Sequence, residues 1–150
     1  MKIRTDYVTN SSSSSFILGF KNNEEIEDIV NQLPYYWSDS VKEDIVSDIH
    51  NGVTTKEKAI EFYQDHMWTS SWRFKGKDWW ELTKEERQSE EYQNFIQNKK
   101  DELSKGLLKE LNENEIISIV EYEDHDTLGS QLEHEIMPDL DCTIQRVSHH

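Results

Sequence analysis

Ser13-Ser14-Ser15-Phe16-Ile17-Leu18-Gly19-Phe20 is the stretch whose reading decides the fold. Five serines in a row, Ser11 to Ser15, ordinarily mark a linker. Here they run straight into large apolar side chains, which predicts a first β-strand entered through hydroxyls, with Gly19 as a weak point or bulge. The segments with matching strand character lie far away. Ile116-Ile117-Ser118-Ile119-Val120-Glu121-Tyr122 is β-branched and apolar, and Cys142-Thr143-Ile144-Gln145-Arg146-Val147 alternates inward and outward. The order β-α-α-α-α-β-β predicts an α+β domain spanning 1–150: a small, mostly antiparallel sheet from the N-terminal strand and a C-terminal hairpin, packed on about four helices from the middle of the chain. Residues 1–13 read as an N-terminal arm, ordered or flexible.

The helical middle is written in caps and stripes. Asn22-x-x-Glu25 has the form of a capping box and precedes Ile26, Ile29, Val30 and Leu33 at helical spacing, with Pro34 as the stop. Ser40-x-x-Glu43 predicts a helix with Val41, Ile45 and Ile49 inward, closed by Asn51-Gly52. Thr54-x-x-Glu57 predicts another along Ala59, Ile60, Tyr63 and Met67. Thr83-x-x-Glu86 opens the longest pattern, with Tyr92, Phe95, Ile96, Leu103, Leu107, Leu108 and Leu111 inward, weakened at Lys99-Lys100 and Gly106. Leu128 to Met137 is ambiguous in period and ends at Pro138.

The opening, Met1-Lys2-Ile3-Arg4, then Asp6-Tyr7-Val8-Thr9-Asn10, the five serines and Phe16, resembles an N-terminal sequence M-K-I-R-x-D-(F/Y)-V-T-N-S-S-S-S-S-F. That sequence recurs on small uncharacterised proteins of low-GC Gram-positive bacteria, their phages and other mobile elements. The resemblance covers about the first twenty residues and implies no activity. As plain chemistry, the serine run reads equally as a soluble, slippage-tolerant edge strand or as hydroxyls that accept phosphate or acyl groups.

A chain of 150 residues fits one domain able to bury roughly 68–70% of its unfolded surface. Five Trp, six Tyr and five Phe argue for a folded, aromatic-rich core despite a hydrophobic content of 34%. Polar residues follow the basic start where an export signal needs an apolar segment, and no apolar run approaches the roughly 18–20 residues that span a bilayer. Cys142 is the single cysteine, which excludes an intramolecular disulfide. The expectation is a cytoplasmic protein. The net charge of −15 is concentrated: residues 22–67 carry eleven acidic against three basic side chains, and residues 113–150 carry ten against Arg146 alone. Such a surface repels nucleic-acid backbones and anionic lipid and suits a basic protein partner.

Enzyme signatures are missing. There is no Gly-x-Ser-x-Gly elbow and no phosphate-cradling Gly-x-x-x-x-Gly-Lys loop, and Cys142 in an apolar strand reads as an inert thiol. The C-terminal third gathers Glu121, Glu123, Asp124, His125 and Asp126 in one run, Glu133, His134 and Glu135 in a second, and His149-His150 after the last strand. Imidazole mixed with carboxylate suits a divalent transition metal, although no spacing matches a zinc signature and no resident cofactor is otherwise expected. The metal-ligating candidates are His125, His134, His149, His150, Glu123, Asp124 and Asp126, a hairpin being what would bring His125 and His149 together. Trp68 to Trp80, interleaved with Arg73, Lys75 and Lys77, has the composition of a base-stacking platform; the overall charge favours Trp72, Trp79 and Trp80 as plugs between helices instead. An exposed Trp there would be a partner anchor, as would Tyr35, Tyr36 and Trp37 after Pro34. The partner-binding candidates are therefore Trp37, Tyr35, Tyr36, Trp72, Glu121, Glu123 and Asp124. Two functional classes result: a non-enzymatic module binding a basic partner, such as a mobile-element inhibitor of a nucleic-acid-handling protein, and a metal-binding or metal-dependent protein.

Overall fold

A computed structural model describes residues 13–149, with the backbone alone at His149. The N-terminal arm lies outside the described residues, up to Ser13. The chain runs β1 (Ser13–Phe20), α1 (Asn23–Glu27), α2 (Asp39–Asn51), β2 (Val53–Thr54), α3 (Lys56–Asp65), α4 (Lys84–Gln88), α5 (Glu90–Leu103), α6 (Lys105–Asn112), β3 (Ile116–Glu123), α7 (Thr127–Gln131) and β4 (Thr143–His149), with short 3-10 turns between. It is an α+β fold on an antiparallel sheet of strand order β2-β3-β1-β4.

The serine-led strand is therefore internal, which corrects the edge-strand reading. β1 pairs with β3 along one side, from Ser13 opposite Glu123 to Phe20 opposite Ile116, and with β4 along the other, with a register shift between Ile17 and Leu18. β3 and β4 do not form a hairpin with each other, because β1 separates them.

Both faces of this sheet are covered, so β1 reads as one unbroken buried run from Ser14 to Phe20. On one face Phe16, Leu18, Phe20 and Val120 meet Ile26 and Ile29, then Ile45 and Ile49 of α2, then Leu132, Met137 and Leu140. On the other face Ile17, Ile117 and Val147 meet Ala59 of α3 and Leu107 and Leu111 of α6. Each fully buried Phe, Ile or Leu contributes about 1.5–3 kcal/mol. A satellite cluster of Phe74, Leu82 and Tyr92, flanked by Phe95 and Ile96, anchors the connection to α5.

Trp79 and Trp80 do not plug the helices. Trp68 and Trp80 are 77% and 72% exposed, and Trp79 is capped by the Arg87 guanidinium, 3.8 Å above its ring centroid. Leu103 and Leu108, expected inward, are exposed. Asn22 and Thr83 both cap, though only Thr83 closes its box, Glu25 accepting instead from the Lys21 N–H; α2 is capped by Ser38 and α3 by Thr55. Gly52 closes α2 against β3 so tightly that a Cβ would lie 2.2 Å from the Ile119 carbonyl oxygen, and β2 follows directly. Among the described residues, no helix is long and apolar enough to cross a membrane.

Candidate functional site

The polar residues of the sheet collect where β1 begins and β3 ends. Ser14 shares a face with Phe16 because side chains alternate along a strand, and Phe16 stands opposite Arg146 of β4. Above them passes the segment that follows β3. Asp126 caps α7, its Oδ1 accepting from the Gly129 N–H at 2.6 Å. Gly129 is required there, since a Cβ would meet the Glu123 carbonyl oxygen at 2.0 Å. α7 then widens into a π-helical turn, Leu132–Ile136, which turns both Leu132 and Glu133 inward. Such turns recur at functional sites.

Glu133 is completely buried. Ser14 donates its hydroxyl to Oε1 at 3.0 Å, Arg146 Nη2 lies 3.6 Å from the same oxygen, and Arg146 Nε donates to Ser14 Oγ at 3.1 Å. Burying an unpaired carboxylate costs several kcal/mol. Among the described residues, the serine and the arginine help to make the position tenable. Outward of this group, His134 Nε2 lies 3.3 Å from Glu133 Oε2 and 3.4 Å from Asp124 Oδ2, and one ligand atom from each of Asp124, Glu133 and His134 falls within 4.8 Å of the others.

Of the predicted metal ligands the structure thus brings Asp124 and His134 together, and joins to them Glu133, which the sequence places in the same run without a role. His125 instead pairs with Glu123 at 2.9 Å, both lining the groove described below. Asp126 serves as a cap. The His149 side chain and His150 lie outside the described residues. Nothing in local spacing announces Ser14 and Arg146. The available signals are the isolation of Arg146 among ten carboxylates and the even parity it shares, through strand pairing, with Phe16.

A second feature adjoins this one. A groove of about 370 Å³ runs between α2 and the end of β3. Its floor is apolar, built from Val41, Ile45, Tyr122, Leu128 and Leu132. Asp44, Asp48, Glu121, Glu123 and Asp126 line it, and no lysine or arginine does among the described residues. Tyr122 donates to Asp48 Oδ2 at 3.0 Å; burial first, then the Asp48 charge, holds its phenol well above the ordinary value, so it stays a donor. Of the predicted partner-binding residues, Glu121 and Glu123 line this groove, whereas Asp124 turns to His134. Tyr35 and Tyr36 are exposed and meet edge to face at 5.6 Å between centroids. Trp37 packs against the core, and Trp72 is half-buried with Lys99 Nζ 5.8 Å from its ring.

Comparison of the chain with protein-family models, with curated proteins and with solved structures finds no match.

Proposed function

We propose that this protein is a non-enzymatic binding module for a basic protein partner, engaged through the groove between α2 and β3. The observation that carries the reading is the pairing of an apolar floor with five carboxylates among the described lining residues, Glu123 standing beside the His125 imidazole that also lines the groove. Lysine and arginine have the complementary form, a methylene stem that covers apolar surface and a charged head that stays at the rim. A single exposed ion pair is worth only about 0–1 kcal/mol, so the groove gains its selectivity from several carboxylates acting on one guanidinium or ammonium. Asp48 and Asp126 are already oriented, by Tyr122 and by the Gly129 N–H. The opening sequence resembles that of phage and mobile-element proteins, which favours a nucleic-acid-handling protein as the partner. An acidic surface competes for the basic groove such a protein offers to a phosphate backbone, and charge complementarity speeds its arrival.

The test is a titration with a fluorescent arginine-rich peptide at low and high salt. The wild type should bind, more weakly as salt rises. The combined variant Asp44→Asn, Glu121→Gln, Glu123→Gln should bind about tenfold more weakly, three charges at up to about 1 kcal/mol each being partly additive. A control variant on α4, Glu85→Gln, should bind as the wild type does. Equal affinity across all three proteins, or indifference to salt, would refute the proposal.

A further inference from the structure

Beyond the partner groove, we propose that Asp124, Glu133 and His134 form a binding site for one divalent transition cation of the zinc or manganese class. The two spacings around His134 Nε2, 3.3 and 3.4 Å, match a coordination edge as well as a long ion pair. A good N–H···O bond settles near about 2.9 Å, and a single Nε2–H cannot serve two carboxylates well. Ligands held about 2.0–2.1 Å from a tetrahedral ion stand about 3.3–3.4 Å apart, because a tetrahedron's edge is about 1.6 times its centre-to-corner distance. The imidazole thus already stands from each carboxylate at the distance of a coordination edge. Asp124 and His134 lie nearer solvent than Glu133 and close the triangle by side-chain rotation.

The surroundings of Glu133 point the same way. Ser14 and Arg146 both engage Oε1, so Oε2 is the oxygen turned toward His134. Metal-ligating carboxylates are oriented in this manner by partners on their other oxygen. Arg146 adds a positive charge beside the two carboxylates, so among the described residues the group offers a divalent cation a net charge of about −1. One nitrogen with two carboxylate oxygens is a donor set for zinc, manganese or iron(II), whereas magnesium and calcium take oxygen ligands.

The experiment uses full-length protein stripped with chelator and titrated with zinc chloride or manganese chloride by calorimetry and by thermal melting. High salt throughout suppresses diffuse attraction of cations to the acidic surface. Saturation at about one ion per chain, with a rise in melting temperature that chelator reverses, is expected. His134→Ala and Asp124→Asn, whose side chains are partly exposed, should keep the native circular dichroism and lose affinity by at least about tenfold, as should Ser14→Ala through misorientation of Glu133. Absence of saturable binding overturns the proposal and leaves His134 as an ion-pair partner of the carboxylates. Unchanged affinity in both His134→Ala and Asp124→Asn overturns it too, placing the ion elsewhere. The groove variants should bind the ion as the wild type does, which separates this proposal from the partner reading.

Discussion

Single residues carry most of the unexpected chemistry. Ser14 and Ser15 are buried, so their hydroxyls serve the interior and are closed to a modifying enzyme unless the sheet opens. Glu133 escaped recognition because an acidic residue beside His134 and Glu135 looks like solvated surface; only the π-turn, which no propensity encodes, rotates it inward. Cys142 conforms to expectation in its chemistry. Burial, with Asp141 and Glu25 nearby, pushes its thiol up to about 12. A raised folded value means that the neutral thiol is favoured by folding. The associated stability is complete below about pH 9, where the unfolded thiol begins to ionise, and is lost as pH rises toward 12. Denaturant unfolding across this range should therefore show the wild type losing stability relative to Cys142→Ala above about pH 9, with parallel curves below it. A constant difference at all pH values would contradict the burial argument.

Elements were legible where caps and stripes coincide and illegible where a competing cap stood one or two residues away. Thr83 Oγ1 accepts from the Glu86 N–H at 3.0 Å, while the Thr83 N–H donates to Glu86 Oε1 at 3.0 Å, and that second bond foremost holds the Glu86 carboxyl below its usual range. In α2 the hydroxyl that accepts is that of Ser38, from Val41 N–H at 3.3 Å, although Ser40 also heads a box-like sequence. Thr83→Ala should accordingly cost about 1 kcal/mol and Ser38→Ala a similar amount, while Ser40→Ala changes stability by less than about 0.5 kcal/mol. Equilibrium unfolding of the three variants checks the order, and a larger loss at Ser40 than at Ser38 would contradict the assigned cap. The long 83–112 pattern divides at Ser89 and Ser104 because each serine meets local backbone: Ser89 Oγ caps α5, and Ser104 Oγ bonds the Lys100 carbonyl oxygen at 2.7 Å. Two-residue β2 left no sequence trace, since close contact at Gly52 and not strand propensity creates it.

At the scale of the whole molecule, the α+β class was readable because the apolar runs at 16–20 and 116–120 are too strongly β-forming to serve otherwise. Strand order was not, because three antiparallel strands of similar character permit several neighbours. The placement of tryptophan was misread for a different reason. Composition counts large side chains as interior, whereas Ile, Leu and Phe supply most of this core and Trp68 and Trp80 stay outside. A net charge of −15 on such a body opposes compaction by self-repulsion. Its melting temperature should rise as sodium chloride screens the carboxylates, and a fall with salt would show that attractive pairs dominate instead. The position of β1 governs assembly in time as well as in space. Synthesised before either neighbour, it finds its first long partner only after about a hundred further residues and its second only when residues 143–149 emerge. Such non-local closure is slow. A nascent chain halted before β4 would present the Phe16 strand with one flank unsatisfied, a template for association between ribosome-bound copies that the finished protein removes by its own last strand.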